Sequence, residues 1–239
     1  MANAQVTLVD AWSIFNNVGA MGRTDTDQVF FSYDHRLGLH ELTTLAAGAT
    51  LVNDWGVVGM GVSHYGGELF NQQNLGVGIS NTLGIASFGI KLNYFQTNIE
   101  GFGRNAKPVL EFGGVALLIP GLHFGAHVYN VTRAKLSKIS PIYLPTVIKA
   151  GLSYQFSEKV MLLLEAEKDI ILQAKFKCGL EYNLLDKVWG RAGIHTNPNN
   201  LFFGMGFKPQ RFHIDYALSH NYLMGYTHHF SFNYLLHDN

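Results

Sequence analysis

Large apolar and polar side chains alternate along much of this chain. From Thr146 to Phe156, residues Ile148, Ala150, Leu152, Tyr154 and Phe156 fall on one parity, and Lys149, Gly151, Ser153 and Gln155 on the other. Arg211 to Ser219 sets Phe212, Ile214, Tyr216 and Leu218 against His213, Asp215 and Ser219. The last segment sets Phe230, Phe232, Tyr234 and Leu236 against His229, Ser231 and Asn233. A period of two belongs to a strand with one apolar face, whereas a helix needs apolar positions three and four apart. About fourteen such runs follow one another, each near the ~9–11 residues of a tilted membrane-spanning strand. Their centres fall at Phe31, Ala47, Met60, Val77, Gly89, Gly114, Gly125, Gly151, Leu163, Cys178, Ala192, Gly204, Asp215 and Phe232.

The connections between these runs alternate in length. Short turns are expected at Asn53-Asp54, Thr82-Leu83, Pro120-Gly121, Ser157-Glu158, Leu185-Asp186 and Pro209-Gln210. Longer loops are expected over Arg36 to Glu41, Thr97 to Ala106, Thr132 to Pro145, Asp169 to Leu172 and Ser219 to Tyr226. Bacterial outer-membrane barrels have this asymmetry, with short periplasmic turns, long outer loops and an even strand count. The reading is therefore an all-β, antiparallel transmembrane barrel of about fourteen strands. The barrel is assigned to residues 26–236, preceded by a segment over 1–25, and both termini are placed in the periplasm.

Composition supports that medium. Charged residues make up 14% of the chain, against roughly 25% in an average soluble domain, and a lipid-facing belt needs almost none. Phe112 to Thr132 has no charge and the length of a helical span, but Pro120-Gly121, Gly113, Gly114 and Gly125 break it into two strands and a turn. Seventeen basic residues balance seventeen acidic ones, without the basic surplus of a nucleic-acid binder. The single cysteine, Cys178, excludes an intrachain disulfide and reads as a small apolar filler beside Phe176 and Leu180. Ala2-Asn3-Ala4 before Gln5 fits the residues left of a signal-peptidase cut. The expectation is export by a signal peptide absent from this chain.

The apolar parity must meet hydrocarbon, because a mid-depth Lys or Arg costs ~2–4 kcal/mol there. That assignment turns Lys91, Glu111, Lys149, Glu165, Glu167, Lys175, Lys177, Glu181, Arg191 and Asp215 toward the lumen. On adjacent strands their signs can pair across the inner wall. The plainer reading is an ion-pair network that fills and stiffens the barrel; the sharper one is a solute path or a docking surface for a plug. Tyr154, Phe156, Tyr182, Phe207, Phe212 and Tyr234 suit a girdle at one interface, and Tyr94 suits the other. Val6 to Gly22 does not alternate, and is either a periplasmic lead-in or a short lumenal plug.

Catalytic and metal signals are lacking. His123 and His127 share a face but stand ~13 Å apart at ~3.3 Å per residue, too far for one ion. Glu165 and Glu167, about 7 Å apart by the same rise, would suit paired-carboxylate chemistry, but Lys149, Lys175 and Lys177 make charge pairing the better account. Gly101-Phe102-Gly103 has no following helix to cradle a phosphate. The expectation is a non-enzyme with no cofactor and no metal.

The chain resembles the FadL-like superfamily and, within it, PorV/PorQ-type barrels of Bacteroidota. The resemblance rests on the strand plan and on Phe15-Asn16-Asn17-Val18-Gly19-Ala20-Met21-Gly22, similar to that family's NPAGLA-like motif, with Asn17 at the family's proline. It rests also on Lys177-Cys178-Gly179-Leu180-Glu181-Tyr182, Phe203-Gly204-Met205-Gly206-Phe207, Phe212-His213-Ile214-Asp215-Tyr216-Ala217 and Thr227-His228-His229-Phe230-Ser231-Phe232. Leu235 to Asn239 overruns the family's usual aromatic end. The resemblance implies either a partner subunit of type IX secretion or a transporter of small hydrophobic solutes. A charge-paired lumen favours the partner role, with outer-membrane lipid and other outer-membrane or secreted proteins as its contacts. A soluble, ligand-binding β-structure is the third alternative.

Overall fold

The computed structural model describes residues 1–135, 143–221 and 225–236. Fourteen antiparallel strands close into one barrel. They are β1 (Gln28–Arg36), β2 (Thr44–Asn53), β3 (Gly56–Gly66), β4 (Phe70–Leu83), β5 (Ala86–Ile99), β6 (Gly103–Ile119), β7 (Leu122–Tyr129), β8 (Val147–Ser157), β9 (Val160–Asp169), β10 (Lys175–Leu185), β11 (Val188–His195), β12 (Asn200–Phe207), β13 (Phe212–Asn221) and β14 (Gly225–Leu235). Each strand pairs with its sequence neighbours. Closure comes from β1 against β14, in register from Gln28↔Leu235 to Arg36↔Thr227. Joining the terminal strands removes the two unpaired edges that an open sheet would leave.

Every strand centre read from the alternation lies inside a strand, and the six short turns fall at one end of the barrel. The other end differs at two places. Ser219 to Tyr226 is mostly strand, with β13 running to Asn221 and β14 starting at Gly225, the two paired to their ends. Thr97 to Ala106 is not a long loop: β5 runs to Ile99 and β6 starts at Gly103, with the Phe102 N–H donating to the Ile99 carbonyl (3.0 Å). Positive φ at Gly101 (+76) and Gly103 (+85) lets the chain reverse in so few residues. Asn98, Glu100, Arg104 and Asn105 hid this hairpin, because a strand that rises beyond the lipid meets water on both faces and loses its alternation. Parts of two expected loops, residues 136–142 and 222–224, and the terminal 237–239 lie outside the described residues.

Outward positions form a continuous apolar belt. Val77 on β4 is 50% exposed and stands between Met60 on β3 and Leu92 on β5, both also exposed. A Val77→Arg barrel is expected to lose ~2–4 kcal/mol in reversible unfolding from lipid vesicles, the cost of a mid-belt guanidinium. A loss near zero would place this face outside hydrocarbon. Tyr154 and Phe156 meet edge to face at 4.7 Å beside the β8–β9 turn, where the girdle was expected. Cys178 lies on the outward parity with Phe176 and Leu180.

The apolar core is inside the barrel rather than between layers. Ala11, Ile14, Val18 and Met21, from the segment before β1, pack with Phe30 and Val57 of the wall. Trp12 and Phe15 complete the cluster, with ring centroids 4.4 Å and 6.0 Å from Phe30.

Candidate functional site

The segment of residues 1–27 enters the lumen and winds across it before leaving at the short-turn end to start β1. Little of it is regular: one helical turn at Ser13–Asn16 and a 3₁₀ turn at Ala20–Arg23. A segment this short has no stability of its own, so the wall must supply it. The wall does so with glycine. A Cβ on Gly89 would stand 2.6 Å from the Val18 carbonyl oxygen, and one on Gly125 2.4 Å from that of Val6. Gly59 and Gly61 make the same allowance for Met21 and Phe15. Bare inner wall brings the two backbones into contact, and the lead-in alternative gives way to a lumenal plug.

Asn17 locks the middle of the plug. Fully buried, it donates through Nδ2 to the carbonyls of Val6 (2.6 Å) and Gly114 (3.1 Å), and its Oδ1 accepts from the Gly19 N–H (3.1 Å). A proline here could make none of these bonds. At the exit, Ser80 and Thr82 hydroxyls donate to the carbonyls of Gly19 (3.1 Å) and Gly22 (2.7 Å).

Nine of the ten charged residues expected on the lumenal face fall into three groups. On β5–β7, Lys91 lies 3.2 Å from Glu111, which also stands 3.0 Å from His127 Nε2 and accepts from Asn93 Nδ2 (2.6 Å). The ammonium of Lys91 sits 5.1 Å from the ring centre of Phe15 on the plug. On β9–β10, Lys177 bridges Glu165 and Glu167 at 2.7 Å each, and Lys175 reaches Glu167 at 3.6 Å. On β10, β11 and β13, Arg191 joins Glu181 (2.5 Å) and Asp215. Lys149 departs from the expectation. It faces Glu167 in register across β8–β9, yet among the described residues no carboxylate comes within 4.0 Å of its ammonium. The two lysines of β10 have already taken that carboxylate.

This network does more than stiffen the wall. Glu165 Oε2 accepts the backbone N–H groups of Gln5 (2.7 Å) and Val6 (2.9 Å), and Lys177 Nζ donates to the Asn3 carbonyl (3.1 Å). Charged partners roughly double the strength of a hydrogen bond, so two wall residues latch the start of the plug. The sequence pointed to these charges, with a docked plug as the sharper alternative, but not to the backbone groups of the plug that they hold.

Two plug residues missed by the sequence reading stand out: Asn17 and Asp10. Asp10 is half-buried in the lumen, and its carboxylate caps the Trp12 N–H (2.9 Å). Burial pushes its carboxyl up from the ordinary 3.8 to about 6, against the pull of Lys208 and Arg191. The docked plug therefore holds this proton more tightly than a released one. Docking gains most below about pH 4 and weakens as pH rises from there through about 6. Limited proteolysis of residues 1–27 across that window is expected to show increasing exposure, and an Asp10→Asn barrel a flat response. An unchanged slope in Asp10→Asn would assign the effect to another group.

Fold comparison places this architecture among known barrels. The chain is similar to the toluene transporter TbuX of Ralstonia pickettii, with a TM-score of 0.76 at 11% identity over 95% of this chain and 94% of that one. It is similar also to the monoaromatic hydrocarbon channel CymD, with a TM-score of 0.73 at 11% identity, covering 96% and 94%. The likeness is one of fold: a closed, antiparallel barrel like those of these two proteins. Omp33 of Acinetobacter baumannii, an outer membrane protein, aligns more loosely, with a TM-score of 0.59 at 8% identity over 90% of this chain and 100% of that one. No protein-family model and no curated protein sequence matches the chain. None of these three names is that of a secretion subunit, and the implied partner role gains no support from the likeness.

Proposed function

We propose that the protein is an outer-membrane transporter or channel for small hydrophobic solutes. One observation carries this reading: the bore is stopped by the chain's own N-terminal segment rather than by side chains of the wall. A barrel that only presents its rim to partners has no use for a separate stopper seated on bare glycine. A removable or adjustable stopper gives control over passage. The names of the similar barrels, a toluene transporter and a monoaromatic hydrocarbon channel, support small hydrophobic cargo for this chain. An even strand count, with the first strand starting and the last strand ending at the short-turn rim, supports a periplasmic side for that rim.

The test is uptake of radiolabelled toluene and of radiolabelled benzyl alcohol by bacteria with and without the barrel in their outer membrane. Faster uptake of either solute with the barrel supports the reading. Equal uptake of both, together with stoichiometric recovery of secretion components when the barrel is purified from native membranes, would replace it with the partner role.

A further inference from the structure

The plug leaves the lumen incompletely filled. One cavity of about 290 Å³ lies between the plug and the wall of β11–β14 and β1, bordered by Trp12, Ser32, Asp34, Phe202, Asp215 and His229. A second, of about 330 Å³, lies nearer the short-turn end, bordered by Val9, His123, Ser153, Gln155 and Glu181. Met1, Leu8, Asp10, Arg191 and Lys208 border both. The partition between the two spaces is therefore a layer of residues, with Met1, Leu8 and Asp10 of the plug on one side and the wall residues Arg191 and Lys208 on the other.

We infer that solute passes beside the seated plug, through these two cavities, and that Leu8 and Asp10 facing Arg191 form the constriction. This rests on the transport reading and adds a route and a cargo chemistry to it. Each space holds about ten water volumes at ~30 Å³ apiece, which suits a single ring and excludes long chains. The walls are mixed. Trp12 and Phe202 offer apolar faces, with the Trp12 ring fixed by its Nε1 donating to Asn233 Oδ1 (2.9 Å). Opposed to them are the Asp34–His229 pair (3.0 Å), the Arg191–Asp215 pair and the hydroxyls of Ser32 and Ser231. A bare hydrocarbon entering here would displace water from those polar groups and return no hydrogen bond. A ring carrying one hydroxyl replaces that water. The cargo class is a small aromatic molecule with a hydrogen-bonding substituent.

Two measurements test this. A barrel with Trp55→Phe and Trp189→Phe keeps Trp12 as its only indole, and its emission in lipid nanodiscs reports on the first cavity. Benzyl alcohol and ethylbenzene have the same number of heavy atoms and differ by hydroxyl against methyl. Benzyl alcohol is expected to bind about tenfold more tightly at equal free concentration, the worth of one satisfied hydrogen bond. Equal or tighter binding of ethylbenzene overturns the cargo class. In the second measurement, Leu8→Ala is expected to raise potassium chloride conductance severalfold while residues 1–27 stay protected from protease. A silent Leu8→Ala barrel, or one that conducts only with its plug exposed, overturns the route. Wild-type barrels that carry either solute but fail both measurements would remove this inference alone. Barrels that carry nothing would remove the transport reading beneath it.

Discussion

A Gly19→Val barrel is expected to conduct where the native barrel is closed, with its first 27 residues opened to protease and its strands intact. A Cβ at Gly19 would stand 2.3 Å from the Gly113 carbonyl oxygen and 2.5 Å from the Gly114 Cα. Real Cβ atoms do not approach so closely, and neither neighbour is a side chain that could rotate away. Both belong to the backbone of β6, which the β5 and β7 ladders fix in place. The plug must therefore lift. Lifting it breaks the Asn17 bonds and exposes Ile14, Val18 and Met21, all now fully buried, at ~1.5–3 kcal/mol for each side chain. No adjustment within the docked state recovers a loss of that size. The barrel itself should survive, because none of its ladder partners belongs to residues 1–27. Bilayer conductance and limited proteolysis read the two halves of the expectation separately. A closed, protected Gly19→Val barrel would show that the plug is not seated on β6 as described.

The wall was legible in the sequence because two different media act on it. Lipid outside and polar lumen inside sort every second residue, so the strands and the inward charges could be read from parity alone. Lys177 between Glu165 and Glu167, and Arg191 between Glu181 and Asp215, needed only neighbouring strands in register. The plug was not legible in the same way. Its contacts join positions far apart in sequence, such as Gln5 with Glu165 and Trp12 with Asn233, and no local period encodes them. Phe30 went against the rule for the wall, turning an aromatic ring inward because Trp12 and Phe15 give it an apolar partner there. One signal was available. Gly59, Gly61, Gly89, Gly113 and Gly125 share the inward parity with the charges, and a wall that omits side chains on its inner face makes room for something. Lys149 shows the opposite limit, since adjacency in register did not decide which lysine wins a shared carboxylate.

Removing either half of the latch should cost more than removing both. Glu165 and Lys177 are almost wholly buried, and they lie 2.7 Å apart. In Glu165→Leu, the Gln5 and Val6 N–H groups lose their acceptor, and the Lys177 ammonium keeps only Glu167 and the Asn3 carbonyl. In Lys177→Met, Glu165 and Glu167 face each other on one strand without the cation that bridges them. Breaking a buried pair from one side typically costs ~3–5 kcal/mol, because it strands the partner's charge, whereas a hydrophobic replacement of both is often close to neutral. The double variant still leaves Glu167, but Lys175 at 3.6 Å can take it over. For the double variant to cost less than either single one, the coupling in a double-mutant cycle must exceed the cost of a single change, so at least ~3–5 kcal/mol is expected in denaturant unfolding. Protease exposure of residues 1–27 should rise most in Glu165→Leu, the variant that cuts two of the plug's backbone bonds. The sharper outcome is that second one. If Lys177→Met exposed the segment as much as Glu165→Leu, the carboxylate would serve the wall and not the plug. If only Glu165→Leu does so, Glu165 itself holds the plug closed.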